Sequence, residues 1–427
     1  MSKTHPWTFN IQVGASLNIG WLSASPAATT GYGSQTLEVC SRLMERHNVV
    51  CIGQTGDVIV WGGRQEVDTP TGKKLTVVAL SDPGSAAEII NRYYAPEFGL
   101  DLVVGFMDAF GIEFLNDLRV PVIGWIPIDG PFTKMWAYYL RNFHKIVAYS
   151  HFGFGELQKW FPPAKIDYIP HGISEEFKPL DKDEVREEFE EKYGIPKDAF
   201  LVVNVGANIG PRKELPQMMM TFKRFAEKHP DAYLFMHTNA FSTFPRGYDL
   251  IQWRAMLGME KRISFPSYDP IISPVPNALL ARVYSAADVY WQNSVGEGFG
   301  LPQYEALACG TPVICPRNSA QTEVVEGNGP RRGWLVENVP EDMYVQIPVY
   351  VPQLTKYPAP DQSSALEKLE EAYNSPDLRK EYGGAGRSHI ERYHSWGSII
   401  PKWFALLETV ENEMILIKKL GEALKGP

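Results

Sequence analysis

Residues 294–314 read SVGEGFGLPQYEALACGTPVI, and few strings constrain a chain more. The order is strand, Gly-rich loop, helix, Gly stop, strand. Pro302 suits the first turn of a helix, where its missing N–H is not needed. Gly310 suits the left-handed residue that ends one. Gly296, Gly298 and Gly300 let backbone N–H groups approach a ligand with no Cβ in the way. The helix beginning near Leu301 then turns its positive end toward an anion, and a diphosphate fits there. Glu297 sits in the loop and Glu305 a turn or so into the helix, so the two carboxylates can face different hydroxyls of one extended polar ligand. A turn carrying two surface glutamates would explain a lone pair of this spacing, but not the whole string.

The rest of the chain alternates in the same way. Apolar stretches at 19–23, 49–53, 77–80, 102–105, 122–126 and 145–150 read as strands, with a Gly turn at 30–34 and a helix over 36–46 after the first. Near-continuous apolar strands separated by helices predict a parallel sheet covered on both faces. Residues 177–197 turn charged and read as a connection ending in a helix over 185–193. Asp181-x-Asp183 imitates a metal-binding pair there, but a solvated surface explains it better. The pattern restarts with strands at 201–205, 233–238, 263–265, 289–292 and 313–315 and a helix over 214–228. From Ser363 the chain reads as helical, broken at Gly383-Gly384. The end, 396–424, reads as an amphipathic helix anchored by Trp396, Trp403 and Phe404. The length of 427 residues fits two such α/β domains. We expect an N-terminal domain over 1–185, a C-terminal one over 186–385, and a helix over 386–427 returning to the first. Ligands of such sheets bind at the carboxyl ends of the strands. No dinucleotide or P-loop fingerprint follows any strand.

The string E-G-F-G-L-P-x-x-E-A-x-A-x-G-x-P-V-I resembles the donor-binding motif of retaining glycosyltransferases of family four. The resemblance implies the GT-B fold, two Rossmann-like domains facing across a cleft. Val205-Gly206-Ala-Asn-Ile-Gly-Pro-Arg212-Lys213 resembles the family's strand and loop carrying an Arg and a Lys for the donor diphosphate. An Arg holds phosphate oxygens bidentately and a Lys adds a point charge. Thr30-Gly31-Tyr32-Gly33 resembles the first Gly loop of the N-terminal domain. Tyr168-Ile-Pro170-His171-Gly172 resembles the segment leaving that domain, with His171 where Asn is usual. Tyr149-Ser150-His151-Phe152-Gly153 resembles the strand end before it, and Ser150 can cap the following helix. Asp129, in Trp125-Ile-Pro-Ile-Asp129-Gly-Pro, stands where many members carry a His near the reacting sugar. A carboxylate there can contact a sugar hydroxyl or act as a general base, and Asp-Gly is also a turn pair.

The implied activity is retaining, metal-independent transfer of a hexose from a UDP- or GDP-linked sugar to an acceptor hydroxyl of a glycan, lipid or small molecule. Glu305 would bind the ribose, Glu297 with Gly298, Phe299 and Gly300 the hexose, and Leu301 would also contact the donor. Arg212 and Lys213 would neutralise the leaving diphosphate, Gly206, Gly31 and Gly33 would line the donor, and Asp129 would serve the acceptor side. No cofactor beyond the nucleotide sugar is expected. The alternative is a nucleotide-sugar binder without turnover. A glycoside hydrolase using Glu297 and Glu305 would leave the two cations without a task. Lys plus Arg total 41 against 50 Asp plus Glu, a net charge of −9, which argues against nucleic acid as partner. Residues 1–10 lack an apolar leader core, no run of 18 apolar residues occurs, and four cysteines without C-x-x-C spacing suit a reducing compartment. The expected place is the cytoplasm. The aromatic and basic stretch 134–145 reads as a partly buried helix and leaves room for a peripheral membrane contact. Residues 239–277 match no family segment and read as an insertion or lid.

Overall fold

The protein is described here from a computed structural model. It covers residues 16–28, 30–53, 63–80, 83–241, 247–270, 273, 275–348 and 354–424. The N-terminal residues 1–10 and part of the 239–277 segment lie outside these. The chain divides into two compact units. One takes in Met1–Pro127, Phe132–His171 and Gly397–Pro427, and the other Ile128–Pro131 and Gly172–Trp396.

The first unit is built on β1 (Asn18–Ser23), β2 (Asn48–Gly53), β3 (Arg64–Asp68), β4 (Lys74–Ala79), β5 (Leu102–Gly105), β6 (Val122–Ile126), β7 (Lys145–Ala148) and β8 (Ile166–Tyr168). They form one sheet in the order β3-β4-β2-β1-β5-β6-β7-β8. All neighbours are parallel except the β3–β4 pair, an edge hairpin that the sequence did not announce. Its strand alternates exposed and half-buried residues, so no apolar run marks it. The long helix Trp396–Leu424 contributes Trp403, which is fully buried. Its ring meets Trp21 at 5.4 Å and Trp125 at 5.2 Å, both edge-on. Lys145 and His144 each bond Glu413 of the same helix at 2.7 Å.

The second unit holds β9 (Phe200–Val205), β10 (Ala232–His237), β11 (Ile263–Ser264), β12 (Val289–Trp291), β13 (Val313–Pro316) and β14 (Gly333–Val336). Their order is β11-β10-β9-β12-β13-β14, all parallel. The chain runs outward from β9 through β10 and β11, then returns to β12 on the other side of β9. That reversal opens a crevice at the carboxyl ends of β9 and β12. Phe222, Phe225, Trp291 and Leu369 are among the residues closing the core beneath it. A short antiparallel pair, β15 (Val345–Pro348) and β16 (Leu354–Tyr357), makes a separate sheet between β14 and the helix Gln362–Asn374.

Several expectations shift. The chain leaves the first unit after His171, earlier than the expected 185/186 boundary, and residues 386–396 belong with the second unit. The reason is the helix Lys182–Tyr193, whose Val185 and Phe189 are buried and whose Phe189 ring packs 5.1 Å from Phe235. Asp181 caps that helix, accepting from the N–H groups of Asp183 and Glu184, which explains the apparent D-x-D pair. The Gly383-Gly384 break is absent, since one helix runs Pro376–Tyr393 straight through it. A Cβ on Gly383 would lie 2.0 Å from the Gly310 carbonyl oxygen, so close approach explains this glycine. The real interruption is Ser375, which leaves the helical conformation (φ −127°, ψ 69°) before Pro376. The Gly turn at 30–34 is also the start of the first helix, Gly31–Leu43, with Thr30 as its cap.

Candidate active site

The crevice of the second unit is filled from both strand ends. After β9 the backbone turns at Gly210 and passes through a short helical turn, Pro211–Lys213. It leaves that turn through Glu214, left-handed at φ 50°. A non-glycine residue resists that conformation by about 1–2 kcal/mol, so the surrounding contacts must impose it. One contact is the bond from Val295 N–H to the Arg212 carbonyl, 3.0 Å, which ties this turn to the loop after β12. Arg212 and Lys213 therefore point into that loop.

Glu297 receives them. Lys213 Nζ lies 2.6 Å from Oε1 and Arg212 Nη1 3.1 Å from Oε2. Arg212 also donates to the Gly296 carbonyl at 2.7 Å, and Gln292 Nε2 donates to Glu297 Oε1 at 2.9 Å. The Glu297 N–H donates to Ser319 Oγ at 2.9 Å. Burial alone would raise the Glu297 carboxyl, but Arg212 and Lys213 outweigh it and hold it well below the usual carboxylate range. Burial pulls the Lys213 ammonium down against the attraction of Glu297. Gly206 stands beside this pair: a Cβ there would come 4.0 Å from Lys213 Nζ.

The loop ends at Gly300, φ 91°, where the helix Leu301–Ala308 begins with Pro302 in its first turn and no side-chain cap. Phe299 stacks on Tyr304 at 4.2 Å, which fixes the loop against the helix. Glu305 stands apart from the Glu297 cluster. Its Oε2 accepts from the Tyr284 hydroxyl at 2.7 Å. Burial pushes its carboxyl up to about 7, against that bond. Glu214, also buried, is raised to about 7 by the same cause.

Asp129 belongs to the second unit, although its strand belongs to the first. Its carbonyl oxygen would lie 2.1 Å from a Cβ on Gly296, and its charge acts on Lys213. Thus Arg212, Lys213, Glu297 and Asp129 come together within one unit. Gly31 and Gly33 lie in the other. A Cβ on Gly33 would meet the Ala28 carbonyl at 2.3 Å, so tight backbone packing requires that glycine. His171 is buried in the first unit between Trp125 and Tyr149, ring centroids 4.4 and 4.3 Å away, with Nδ1 3.1 Å from Gln35 Oε1. Ser150 caps its helix through the Gly153 N–H. In the stretch 134–145 a short helix, Lys134–Tyr139, buries Trp136. Gln292, Ser319, Tyr284 and Tyr357 contact Glu297, Glu305 or Asp129, although no motif in the sequence marks them. Gln292 and Ser294, directly after β12, were the nearest signal. Among the described residues no cluster of His, Cys, Asp and Glu is arranged to hold a metal ion, and no helix is long and apolar enough to cross a membrane.

Residues 185–347 match the family profile described as glycosyl transferases group 1. A D-inositol 3-phosphate glycosyltransferase 2 of Catenulispora acidiphila is 30% identical over 176 residues, 41% of this chain and 39% of that protein. The D-inositol 3-phosphate glycosyltransferase of Mycobacteroides abscessus is 34% identical over 159 residues, 36% of this chain and 31% of that protein. The chain thus spans well under half the length of these two relatives. Sucrose-phosphate synthase from Thermosynechococcus elongatus superposes with a TM-score of 0.70 at 17% identity, covering 92% of this chain and 99% of that one. Anabaena HepE in complex with UDP-glucose gives 0.67 at 14% identity, covering 92% and 99%. The two likenesses establish the architecture, and the matched segment contains Arg212, Lys213, Glu297 and Glu305. The chain has the GT-B fold, and its residues 185–347 are similar to the group 1 glycosyltransferases.

Proposed function

We propose that this protein transfers a hexose from a nucleotide-diphosphate sugar to an acceptor hydroxyl, with retention of configuration and without a metal. The observation that carries the reading is the convergence of Arg212 and Lys213 on Glu297 beside an uncapped helix start. When the sugar–oxygen bond breaks, its electron pair leaves with the diphosphate, and negative charge grows there. Two fixed cations and the helix N–H groups stabilise that charge with little reorganisation. They do the work a divalent metal does elsewhere. Glu297 keeps the cations in place until the donor arrives, then turns to the hexose hydroxyls with Gly298, Phe299, Gly300 and Leu301. The acceptor oxygen attacks the face the diphosphate leaves. Asp129 takes its proton or orients a sugar hydroxyl.

The base is uracil or guanine, and UDP-glucose, seen in the HepE structure, is the first donor to try. The names of the relatives make inositol 3-phosphate the first acceptor to try, ahead of glycans and lipids. A transfer assay over UDP- and GDP-sugars tests the reading: no transfer, no donor hydrolysis and no donor-dependent thermal shift would sink it. Product anomers read by NMR decide retention. Activity is expected to survive EDTA, and its full loss, restored by a divalent metal, would overturn the metal-free assignment.

Glu305 carries a pH prediction. It would accept the ribose hydroxyls as a carboxylate, yet burial holds its carboxyl at about 7. The KM for donor should therefore fall as pH rises from about 6 to 8. Glu305→Gln should flatten that dependence, and an unchanged slope in the variant would assign the titration elsewhere. The folding contribution runs the other way. A carboxyl raised in the folded state stabilises it most below its ordinary range, and this is lost as pH climbs through about 7.

A further inference from the structure

The β15–β16 pair ends on Tyr357, a fully enclosed tyrosine only 2% exposed. Its hydroxyl donates to Asp129 Oδ1 at 3.2 Å. Its ring takes the space that side chains would need on two glycines. A Cβ on Gly130 would lie 2.4 Å from Tyr357 Cε1, and one on Gly296 3.1 Å from Cδ1. Val295, next to Gly296, packs with Tyr357 and Ala359 in a small apolar cluster. The residue after Tyr357 is tied to the site as well. Asn318 Nδ2 donates to the Pro358 carbonyl at 3.2 Å, and Asn318 Oδ1 accepts from Ser319 Oγ at 3.1 Å. Ser319 Oγ is the group that accepts from the Glu297 N–H. One residue thus touches the Asp129 segment through both hydroxyl and ring, and the Glu297 loop through its ring.

We propose that Tyr357 is a positioning residue of the transfer site: its hydroxyl sets the orientation of the Asp129 carboxylate toward the acceptor, and its ring holds the Gly296 turn that presents Glu297. This rests on the transferase reading above. A phenylalanine would pack the same ring against the same glycines, so the hydroxyl is not explained by packing. A buried phenol needs a partner, and the carboxylate proposed to serve the acceptor is one that its hydroxyl has here. With Oδ1 engaged by the phenol, Oδ2 would be the oxygen left to serve an acceptor hydroxyl. Gly130 and Gly296 are glycines because a ring and a backbone meet there.

Two variants separate the hydroxyl from the ring. Tyr357→Phe keeps the ring, and kcat is expected to fall about tenfold, the scale of one hydrogen bond to a charged group, with the donor KM unchanged. Tyr357→Leu removes the ring. In the ligand-free protein, amide hydrogen exchange at 128–131 and 295–300 should then quicken, while β9, β10 and β12 stay protected. A wild-type kcat in Tyr357→Phe overturns the role of the hydroxyl, and unchanged exchange in Tyr357→Leu overturns the role of the ring. If the unmodified protein transfers no sugar at all, the transferase reading fails and the hydroxyl's role with it, while the exchange comparison still decides whether Tyr357 holds the two segments.

Discussion

Glu297→Gln is expected to lower kcat/KM by about 10²- to 10³-fold while the protein still binds UDP or GDP, with affinity equal to or above that of the unmodified chain. The two effects have one cause. Glu297 is the anion that Arg212 and Lys213 hold at 3.1 and 2.6 Å. Removing its charge deprives the transition state of a group on the hexose, a loss on the scale seen when a preorganised polar contact is deleted. It also frees two cations for a diphosphate. Folding stability should drop by about 3–5 kcal/mol, because a buried charge loses its partner, and nucleotide should restore much of it. Lys213→Ala behaves differently, losing both nucleotide binding and transfer. Calorimetric titration beside initial rates reads both variants. A near-normal rate in Glu297→Gln, or loss of its nucleotide binding with the fold intact, would contradict the assignment.

Trp403→Ala should destabilise the first unit by about 3–5 kcal/mol, the range for truncating a fully buried large aromatic. Trp403 is fully enclosed against Trp21 and Trp125, so the void would open at the centre of the unit and not at its edge. Urea unfolding followed by tryptophan fluorescence reports the change, since three indoles lie together there. An unmoved midpoint would mean that the C-terminal helix contributes little to this core.

Much of the fold could be read because near-continuous apolar strands alternate with helices, and that pattern is local. The Glu297 loop, its Pro302 start and its Gly310 end were legible for the same reason, as every constraint falls within 21 consecutive residues, 294–314. Arg212 and Lys213 needed only a strand and a Gly loop beside them. What could not be read depends on distant partners. Gly383 looks like a helix breaker until the Gly310 carbonyl is found against it. Asp129 follows a strand of one unit and belongs to the other. Tyr357 meets Asp129 across a separation of 228 residues, and no spacing in the chain announces such a contact.

The interrupted path of the chain has a consequence for how the protein is made. Strands β1 to β8 leave the ribosome first, but Trp403, which closes their core, is more than two hundred residues behind β8. The second unit is complete by Trp396. On the ribosome, the half synthesised last can therefore settle first, with the earlier half waiting, its Trp21 and Trp125 uncovered, for the final helix to emerge. Until that helix docks, Trp21 and Trp125 are apolar surface through which an incomplete chain can aggregate.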